Sequence, residues 1–289
     1  MVLSCIYNAL RITGQSIRDS RVVITGAGAA AHGIANLIAL AVREEGGSLQ
    51  DAQKKIWMVD SKGLVTKSRS NLEQFKTIYA REVDEIATYN CKDQSMISLE
   101  ETIENSKPAI LIGTSATPGI FGETVVRAMA KINERPIIFP LSNPTSKSEC
   151  TPEQAIRWSD GRAIVATGSP FPSVEYGGRR HEIGLCNNAF IFPGFGLGVM
   201  VGRIRRVTDN MFLAAAKALS GMSGAGASEQ FAISPELRSI RECSHAVACA
   251  VIKQAVSEGH ADEEILTNLE ATVKDAMWFP EYLPIRYEE

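Results

Sequence analysis

The hydrophobic residues in the first half of the chain follow two alternating patterns. Short, almost continuous apolar runs rich in Val and Ile are separated by longer stretches in which apolar residues recur at helical spacing. Strands covered by helices on both faces have such continuous runs, so the alternation predicts a parallel sheet with helices on each side. The predicted strands are Arg21–Thr25, Ile56–Asp60, Ala109–Gly113, Pro136–Phe139 and Ala163–Ala166.

Several helices are predicted from apolar spacing and from the residues at their ends. They are Val2–Ile12, Ala29–Arg43, Glu123–Ile132 and Pro152–Trp158. From about Gly196 onward the chain is predicted to be all-helical, with Ser234 and Pro235 starting a helix that runs to about Ser257. The pattern therefore predicts an α/β fold, a doubly wound and mostly parallel sheet with a helical C-terminal extension.

Composition and charge exclude several classes of protein. The 289 residues are 45% hydrophobic and 22% charged, which is typical of a globular chain and excludes disorder. A net charge of −3 argues against a nucleic-acid partner or a polybasic membrane anchor. The weakly charged stretches 22–42 and 185–202 contain glycines and Asn, so neither is predicted to span a membrane. Without a recognisable signal peptide, the expected location is the cytoplasm, or a mitochondrion or other organelle if a targeting segment preceded residue 1.

The cysteines and histidines predict neither a metal site nor a catalytic group. The six cysteines form no CxxC pair and have no histidine at zinc spacing, so they are interpreted as free thiols, mostly in the core. The four histidines lie at no spacing that indicates a metal site or a Ser-His-Asp arrangement. No metal ligand and no catalytic residue is assigned.

A glycine-rich turn joins the first predicted strand to the next helix. Gly26 permits a tight turn, Gly28 allows backbone to approach a pyrophosphate, and Ala31 lets helix and strand pack closely. The helix N-terminus adds N–H donors and a positive dipole end. This Rossmann-type arrangement predicts dinucleotide binding at Gly26, Ala27, Gly28, Ala29 and Ala31. The alternative is that the glycines serve packing alone.

Asp60 ends the second predicted strand, where a carboxylate can hold the ribose hydroxyls of a dinucleotide. The interval from Gly28 to Asp60 exceeds the usual spacing of about 20 residues, and the polar stretch 44–55 is interpreted as an insertion. Ser61 and Lys62 follow, and a hydroxyl with an ammonium group there favours a 2′-phosphate. NADP is therefore slightly preferred over NAD, with a solvated turn as the alternative.

Polar residues also follow the later strands, at the edge where open α/β sheets bind ligands. Thr114 and Ser115 follow the third predicted strand, and Asn143 follows the fourth. These three are predicted to bind the cofactor. Amides offer donors and an acceptor without charge, so Asn143, Asn187 and Asn188 are predicted to bind substrate.

Five segments together resemble the cofactor-binding half of malic enzymes. They are ITGAGAAAHGIA, KKIWMVDSKGL, RPIIFPLSNPTSKSECTPEQA, ATGSPF and NNAFIFPGFGLGV. Their order and spacing match over nearly the whole chain. Two residues depart from the family pattern: Ala29 stands where an acidic residue is common, and Cys186 stands where a glycine is common.

The resemblance implies oxidative decarboxylation of malate to pyruvate and CO₂, with NAD or NADP accepting the hydride and Mg²⁺ or Mn²⁺ assisting. By the same matching, Asn143 lies near the nicotinamide and the substrate, and Asn188 near a malate carboxylate. Ser142 and the Gly168-Ser169 turn line the same cleft.

The resemblance also implies which parts of such an enzyme this chain provides. In the family a further N-terminal region supplies the catalytic lysine and tyrosine and the metal ligands. Residues 1–20 are therefore interpreted as a helix from the interdomain connection, and residues 21–289 as the Rossmann-type domain. The chain alone is expected to bind a dinucleotide, to bind no divalent ion, to be inactive, and to belong to a homo-oligomer.

Two other functions fit parts of the same pattern. One is a non-catalytic nucleotide-binding or subunit-interaction module derived from malic enzyme. The other is a different Rossmann dehydrogenase that acts on another hydroxy acid, which the lack of an evident catalytic histidine disfavours.

Overall fold

A computed structural model of the chain describes residues 1–223 and 233–282, and its centre is a seven-stranded sheet. The strands are, in chain order, β1 (Val22–Thr25), β2 (Ile56–Asp60), β3 (Gly63–Leu64), β4 (Ile110–Gly113), β5 (Ile137–Pro140), β6 (Ile164–Thr167), β7 (Val174–Tyr176), β8 (Arg179–His181) and β9 (Gly184–Leu185). The sheet order is β3-β2-β1-β4-β5-β6-β9, and β7 pairs with β8 in a separate antiparallel hairpin. Within the sheet, β3 runs antiparallel to β2 and the other neighbours are parallel.

The order of the strands reverses around β1. Thr25 in β1 lies in register with Val59 in β2 on one side and with Gly113 in β4 on the other. Such a reversal leaves a crevice at the carboxyl ends of the two central strands, where open α/β sheets bind ligands. The predicted α/β Rossmann-type sheet is confirmed, and it puts the ends of β1 and β4 at this crevice.

Helices cover both faces of the sheet and form the C-terminal part. They are α1 (Val2–Thr13), α2 (Ala29–Glu44), α3 (Leu49–Gln53), α4 (Gln74–Thr77), α5 (Val83–Ile86), α6 (Leu99–Ser106), α7 (Glu123–Ile132), α8 (Pro152–Trp158), α9 (Phe192–Val201), α10 (Asp209–Ser220), α11 (Ile240–Ser257) and α12 (Leu269–Asp275). The predicted bounds of α7 and α8 are confirmed, and α1 and α2 each extend one residue further than predicted. Gly14 ends α1 in the left-handed conformation, at φ 69°.

The prediction that Ser234 and Pro235 start the long C-terminal helix is wrong. A 3₁₀ turn covers Leu237–Ser239, and α11 begins only at Ile240. The hydroxyl of Ser234 instead accepts a hydrogen bond of 2.8 Å from the backbone N–H of Leu185 in β9. The side chain that the sequence pattern assigns to a helix cap therefore makes a tertiary contact instead. The predicted end of the helix at Ser257 is confirmed.

Alternation along the strands divides the core between the two faces of the sheet. Val22 and Ile24 belong to one buried cluster, which also contains Leu3 and Ile6 of α1, whereas Val23 belongs to the cluster on the opposite face. Successive side chains of a strand point to opposite faces, so a fully apolar strand is expected when both faces are covered. Residues of α1 thus pack in the core of the sheet, and the domain boundary proposed at residue 20 stays a prediction.

Three glycines bring α9 against α11. A Cβ atom at Gly194 would lie 2.7 Å from the Cα atom of Ser244, and one at Gly198 would lie 2.9 Å from the carbonyl oxygen of Ala248. Gly202 approaches Ile252 in the same way. The weakly charged stretch 185–202 therefore contains one helix, α9, which packs closely against α11. Among the described residues, no helix has the length and apolar character needed to cross a membrane.

Candidate functional site

The glycine-rich turn has two glycines that are required for different reasons. Gly26 has φ 94°, and a Cβ atom there would lie 2.7 Å from the carbonyl oxygen of Thr114, so conformation and packing both require glycine. Gly28 has an ordinary extended backbone as the N-cap of α2, and a Cβ atom there would have no atom within 4 Å. Packing therefore explains why residue 26 is a glycine, but it does not explain why residue 28 is one. A side chain at Gly28 would enter open space at the crevice.

The first turn of α2 faces this open space with its backbone. Ala29 and Ala30 are exposed, whereas Ala27 and Ala31 are buried. The first N–H groups of a helix have no acceptor within the helix, and the dipole makes this end positive. The turn is therefore a cradle of backbone donors with no side chain in it, which fits the diphosphate of a dinucleotide. Thr114 supports the turn from β4, because its hydroxyl donates to the carbonyl oxygen of Thr25 at 2.8 Å.

Asp60 lies at the carboxyl end of β2 and is fixed by two donors. Its Oδ1 atom accepts hydrogen bonds of 2.8 Å from the Arg69 side chain and from the backbone N–H of Lys62. Burial alone would raise the pKa of Asp60, but these two hydrogen bonds, together with the positive charges of Arg69 and Lys76, outweigh it and hold the pKa below its ordinary value. Asp60 is therefore an oriented carboxylate at neutral pH, beside the exposed Ser61 and Lys62.

Arg69 is a site residue that the sequence analysis missed. Besides Asp60, it donates to the carbonyl oxygens of Lys62 at 2.8 Å and Leu64 at 2.5 Å. One guanidinium therefore holds the turn between β2 and β3 together with the carboxylate at its start. The sequence contains no motif for this contact, because Arg69 follows a two-residue strand that was not predicted.

Glu149 is a second missed residue, and it joins the loops after β4 and β5. It is fully buried, and its Oε1 atom accepts from the backbone N–H of Ser115 at 2.8 Å, its hydroxyl at 3.1 Å, and the hydroxyl of Ser142 at 2.6 Å. The backbone N–H of Ser142 donates to Oε2 at 3.3 Å. Ser142 in turn accepts from the backbone N–H of Ala116 at 2.9 Å. A single carboxylate therefore holds both loops, including the predicted site residue Ser115.

Asn143 is exposed at the tip of the loop after β5 and contacts the loop after β6. Its Oδ1 atom accepts a hydrogen bond from the hydroxyl of Ser169. A Cβ atom at Gly168 would lie 2.7 Å from Asn143 Nδ2, so glycine at that position allows the amide to approach the neighbouring loop. The two loops predicted to line one cleft are therefore in direct contact.

Asn187 and Asn188 are adjacent in sequence but differ in what they contact. Asn187 donates to the carbonyl oxygen of Gly168 at 3.1 Å and accepts from the backbone N–H of Ala189 at 2.9 Å. Asn188 is exposed, and its side-chain amide has no hydrogen-bond partner among the described residues. Asn187 thus positions the turn, while Asn188 is available to a ligand. Cys186, which precedes them, is buried in the core.

The predicted site residues line one edge of the sheet in the order of its strands. Asp60 ends β2, and the strands β1, β4 and β5 are followed by Gly26, Ser115 and Asn143; these four strands are neighbours in that order. Adjacent strands lie about 4.8 Å apart, so the ends of β2 and β5 are separated by about 14 Å along this edge. Such an edge suits an extended ligand with a sugar at one end, an anionic centre and an amide-binding group at the other.

A family model and the similar curated proteins all point to the same family. A family model described as "Malic enzyme, NAD binding domain" matches residues 1–256. The chain is 43% identical over 285 residues to "NAD-dependent malic enzyme 3" of Bacillus subtilis, with 98% of this chain and 50% of that protein covered. It is 40% identical over 286 residues to the NAD-dependent malic enzyme of Sodalis glossinidius, covering 99% of this chain and 50% of that protein. The chain thus spans about half the length of these curated relatives.

Solved structures agree with this result. The crystal structure of Entamoeba histolytica malic enzyme matches with a TM-score of 0.72 and 25% identity, over 95% of this chain and 52% of that one. A malic enzyme from Pyrococcus horikoshii matches with the same TM-score and identity, over 95% of this chain and 57% of that one.

Proposed function

The chain belongs to the malic enzyme family as its NAD-binding domain, and from this premise we propose that it binds NAD across the carboxyl ends of β2, β1, β4 and β5. In this proposal Asp60 holds the adenosine ribose and the N-terminus of α2 holds the diphosphate. Thr114 and Ser115 line the path toward the nicotinamide, which lies near Asn143. The bound cofactor supplies the hydride acceptor.

Gly28 is the observation that carries this proposal. Its backbone conformation is open to any residue, and no atom lies within 4 Å of the position of a Cβ. Nothing inside the domain therefore requires glycine there. A ligand that lies against the backbone does require it, and the N-terminus of α2 beside it attracts anions.

The reaction proposed for the complete protein is the oxidative decarboxylation of malate to pyruvate and CO₂. Here Asn143 and Asn188 orient the nicotinamide carboxamide and a malate carboxylate through neutral amides, which add no charge to the site. Asn187 keeps the turn that presents Asn188 in place through Gly168. The relatives that carry the name NAD-dependent malic enzyme support this assignment.

The divalent cation that the family resemblance implies has no ligand set among the described residues of this edge. Glu149 is the carboxylate beside the Asn143 loop, but it is fully buried and its oxygens accept hydrogen bonds from Ser115 and Ser142. A Mg²⁺ or Mn²⁺ ion requires several accessible oxygen ligands. No step of the proposed reaction is therefore assigned to a cation held by these residues.

NAD is the proposed cofactor, with NADP as the alternative that the sequence slightly favoured. A carboxylate at the end of β2 pairs with ribose hydroxyls and repels a 2′-phosphate, which supports NAD. Lys62 is exposed next to it and would attract that phosphate. Arg69 already donates to Asp60 and to two carbonyl groups. Lys62 is therefore the cation that would contact the 2′-phosphate of NADP.

The proposal includes that the protein forms a homo-oligomer in the cytoplasm. Phe192 at the start of α9 and Met200 near its end have 61% and 78% of their surface exposed, and Phe192 lies shortly after Asn188 in the chain. Exposed apolar side chains next to a binding site favour its coverage by further protein, which supports association.

Calorimetric titration of NAD into the purified chain tests the proposal directly. We expect saturable binding at one site, and we expect Gly28→Val to weaken it by at least about tenfold because the new methyl groups occupy the diphosphate space. Gly33→Val is the matched control, since Gly33 also lies on α2 with no atom within 4 Å of the Cβ position. Equal affinities in the Gly28→Val variant and the unsubstituted chain would overturn the assignment of the turn.

A further inference from the structure

Two C-terminal helices bring together three side chains that have no part in the proposed NAD site. His245 and Cys249 are one helical turn apart on α11, so they lie on the same face of that helix. Glu270 lies on α12, which packs against α11 through Ala248 and Val273. The nitrogen of the histidine, the sulfur of the cysteine and a carboxylate oxygen all lie within 4.8 Å of one another.

Two of the three distances are close to those between the ligands of one tetrahedral ion. His245 Nδ1 lies 3.6 Å from Glu270 Oε2, and Cys249 Sγ lies 3.7 Å from the same oxygen. With Zn–N and Zn–O bonds of about 2.05 Å and a Zn–S bond of about 2.3 Å, tetrahedral geometry separates such ligands by about 3.3–3.6 Å. The two distances to Glu270 Oε2 thus lie within a few tenths of an ångström of those in a tetrahedral site, and the third pair, His245 and Cys249, lies within 4.8 Å.

The orientation of the imidazole provides a second, independent observation. His245 Nε2 lies 2.9 Å from the backbone carbonyl oxygen of Glu270, which can only accept, so the hydrogen is on Nε2. The Nδ1 atom then faces the Glu270 carboxylate, with Oε2 3.6 Å away. The same Oε2 atom accepts a hydrogen bond from the Cys249 thiol, so the three candidate ligand atoms face one another. Histidines that bind metals commonly donate their other N–H to a backbone carbonyl, as His245 does.

We propose that His245, Cys249 and Glu270 bind a Zn²⁺ ion that links α11 to α12, with solvent as the fourth ligand. Nitrogen and thiolate ligands select zinc and related borderline metals over Mg²⁺ or Mn²⁺, which prefer oxygen. The Glu270 side chain is 69% exposed, so water has access to the fourth position. Lys253 approaches the other carboxylate oxygen, Oε1, at 3.8 Å and leaves Oε2 to the ion. On binding, the Cys249 thiol loses its proton to solvent and a Zn–S bond forms.

Cobalt substitution tests this site by absorption spectroscopy. The reduced, metal-free chain is titrated with Co²⁺ in the presence of excess Mg²⁺. We expect one equivalent to produce a thiolate-to-cobalt charge-transfer band in the near ultraviolet together with the strong visible bands of tetrahedral Co²⁺, and we expect Zn²⁺ to abolish both. If these bands are absent at one equivalent of Co²⁺, or if Mg²⁺ alone abolishes them, the proposed site is wrong.

Variants then identify the ligands. Cys249→Ser should remove the charge-transfer band, whereas Cys91→Ser, which changes a partly exposed cysteine on another part of the chain, should leave it intact. Because Cys249 is buried and its replacement can affect folding, Glu270→Gln provides an exposed second variant that should weaken Co²⁺ binding at least about tenfold. A band that persists in Cys249→Ser, or an unchanged affinity in Glu270→Gln, would contradict the assignment.

Discussion

Glu149 is the residue on which the geometry of two site loops depends. Its carboxylate is completely buried and receives four hydrogen bonds, two from Ser115 and two from Ser142. A buried carboxyl group is tolerated when several donors satisfy it, and its removal leaves those donors without this acceptor. A residue outside the predicted set of ligand contacts therefore holds predicted ones in place.

Replacement of Glu149 by alanine is expected to destabilise the domain. The variant removes the buried acceptor of four hydrogen bonds from the partly buried Ser115 and Ser142, so we expect the free energy of unfolding to fall by about 3 kcal/mol. Urea denaturation followed by circular dichroism measures this change. Glu153→Ala is the matched control, because Glu153 forms only an exposed pair with Arg157 on α8 and should cost less than about 0.5 kcal/mol. Similar losses in both variants would show that Glu149 has no special role.

Lys62 is the residue that we expect to affect the discrimination between the two dinucleotides. Its backbone N–H donates to Asp60, and its side chain is exposed, so Lys62→Ala removes the ammonium group without removing that hydrogen bond. We expect NADP affinity to fall about fivefold, or about 1 kcal/mol, and NAD affinity to stay unchanged. Parallel calorimetric titrations measure both. Lys67→Ala, an exposed lysine paired with Glu82, serves as the control, and equal losses for NAD and NADP would remove the case for a 2′-phosphate contact.

At the scale of elements, the turns that follow the strands determine the geometry of the candidate site. The turn after β1 depends on Gly26, and the turn after β2 depends on Asp60 and Arg69. In the Asp60–Arg69 pair the side chains are only 18% and 12% exposed, so this contact is less screened than a surface ion pair. The two turns form the adenosine end of the proposed NAD site, and each is held by contacts between different elements.

Acid should weaken the turn after β2 in a defined pH range. The folded-state pKa of Asp60 lies below the ordinary value of about 3.9, so its contribution to stability is complete above about pH 5 and is lost as pH falls through the folded-state pKa. We expect Asp60→Asn to cost about 1 kcal/mol at pH 7, and this difference to shrink below about pH 4. Denaturation curves between pH 3 and 7 measure it. Asp19→Asn, at an exposed position without an ion pair among the described residues, should show no such trend.

At the scale of the whole molecule, the domain provides binding groups and spans about half of its relatives. The side chains brought to the crevice from the loops after β5, β6 and β9 are amides and hydroxyls: Asn143, Ser169, Asn187 and Asn188. Such groups orient a ligand but are not general bases at neutral pH. The domain by itself is therefore expected to bind NAD without oxidising malate.

An assay of the isolated chain with malate, NAD and Mg²⁺ or Mn²⁺ tests this expectation. We expect no pyruvate and no increase in NADH absorbance above the level of a protein-free sample, because no described group at the crevice is placed to remove the hydroxyl proton. Asn143→Ala is the control for a genuine activity. NADH formation that scales with the concentration of the chain and disappears in Asn143→Ala would contradict the prediction.

Local patterns predicted the principal strands and several helices correctly because hydrophobic periodicity is a local signal. The bounds of β2, α7 and α8 followed from the apolar runs and the helical stretches between them. The predictions failed where a distant contact overrides the local preference, as at Ser234, whose hydroxyl bonds to Leu185. The very short strands β3 and β9 carry too few residues for a pattern, since neighbouring strands define them.

The sequence alone determined the parallel sheet, the glycine turn and the residues that follow each strand, since each depends on residues close together in the chain. Only the tertiary structure decided that Glu149 joins two loops, that Arg69 holds Asp60, and that the Asn187 amide is hydrogen-bonded while the Asn188 amide has no partner within the described part of the chain. The physical reason is that a buried charge or amide is stabilised by donors and acceptors from other elements. Which partners meet is set by the packing of those elements around the sheet.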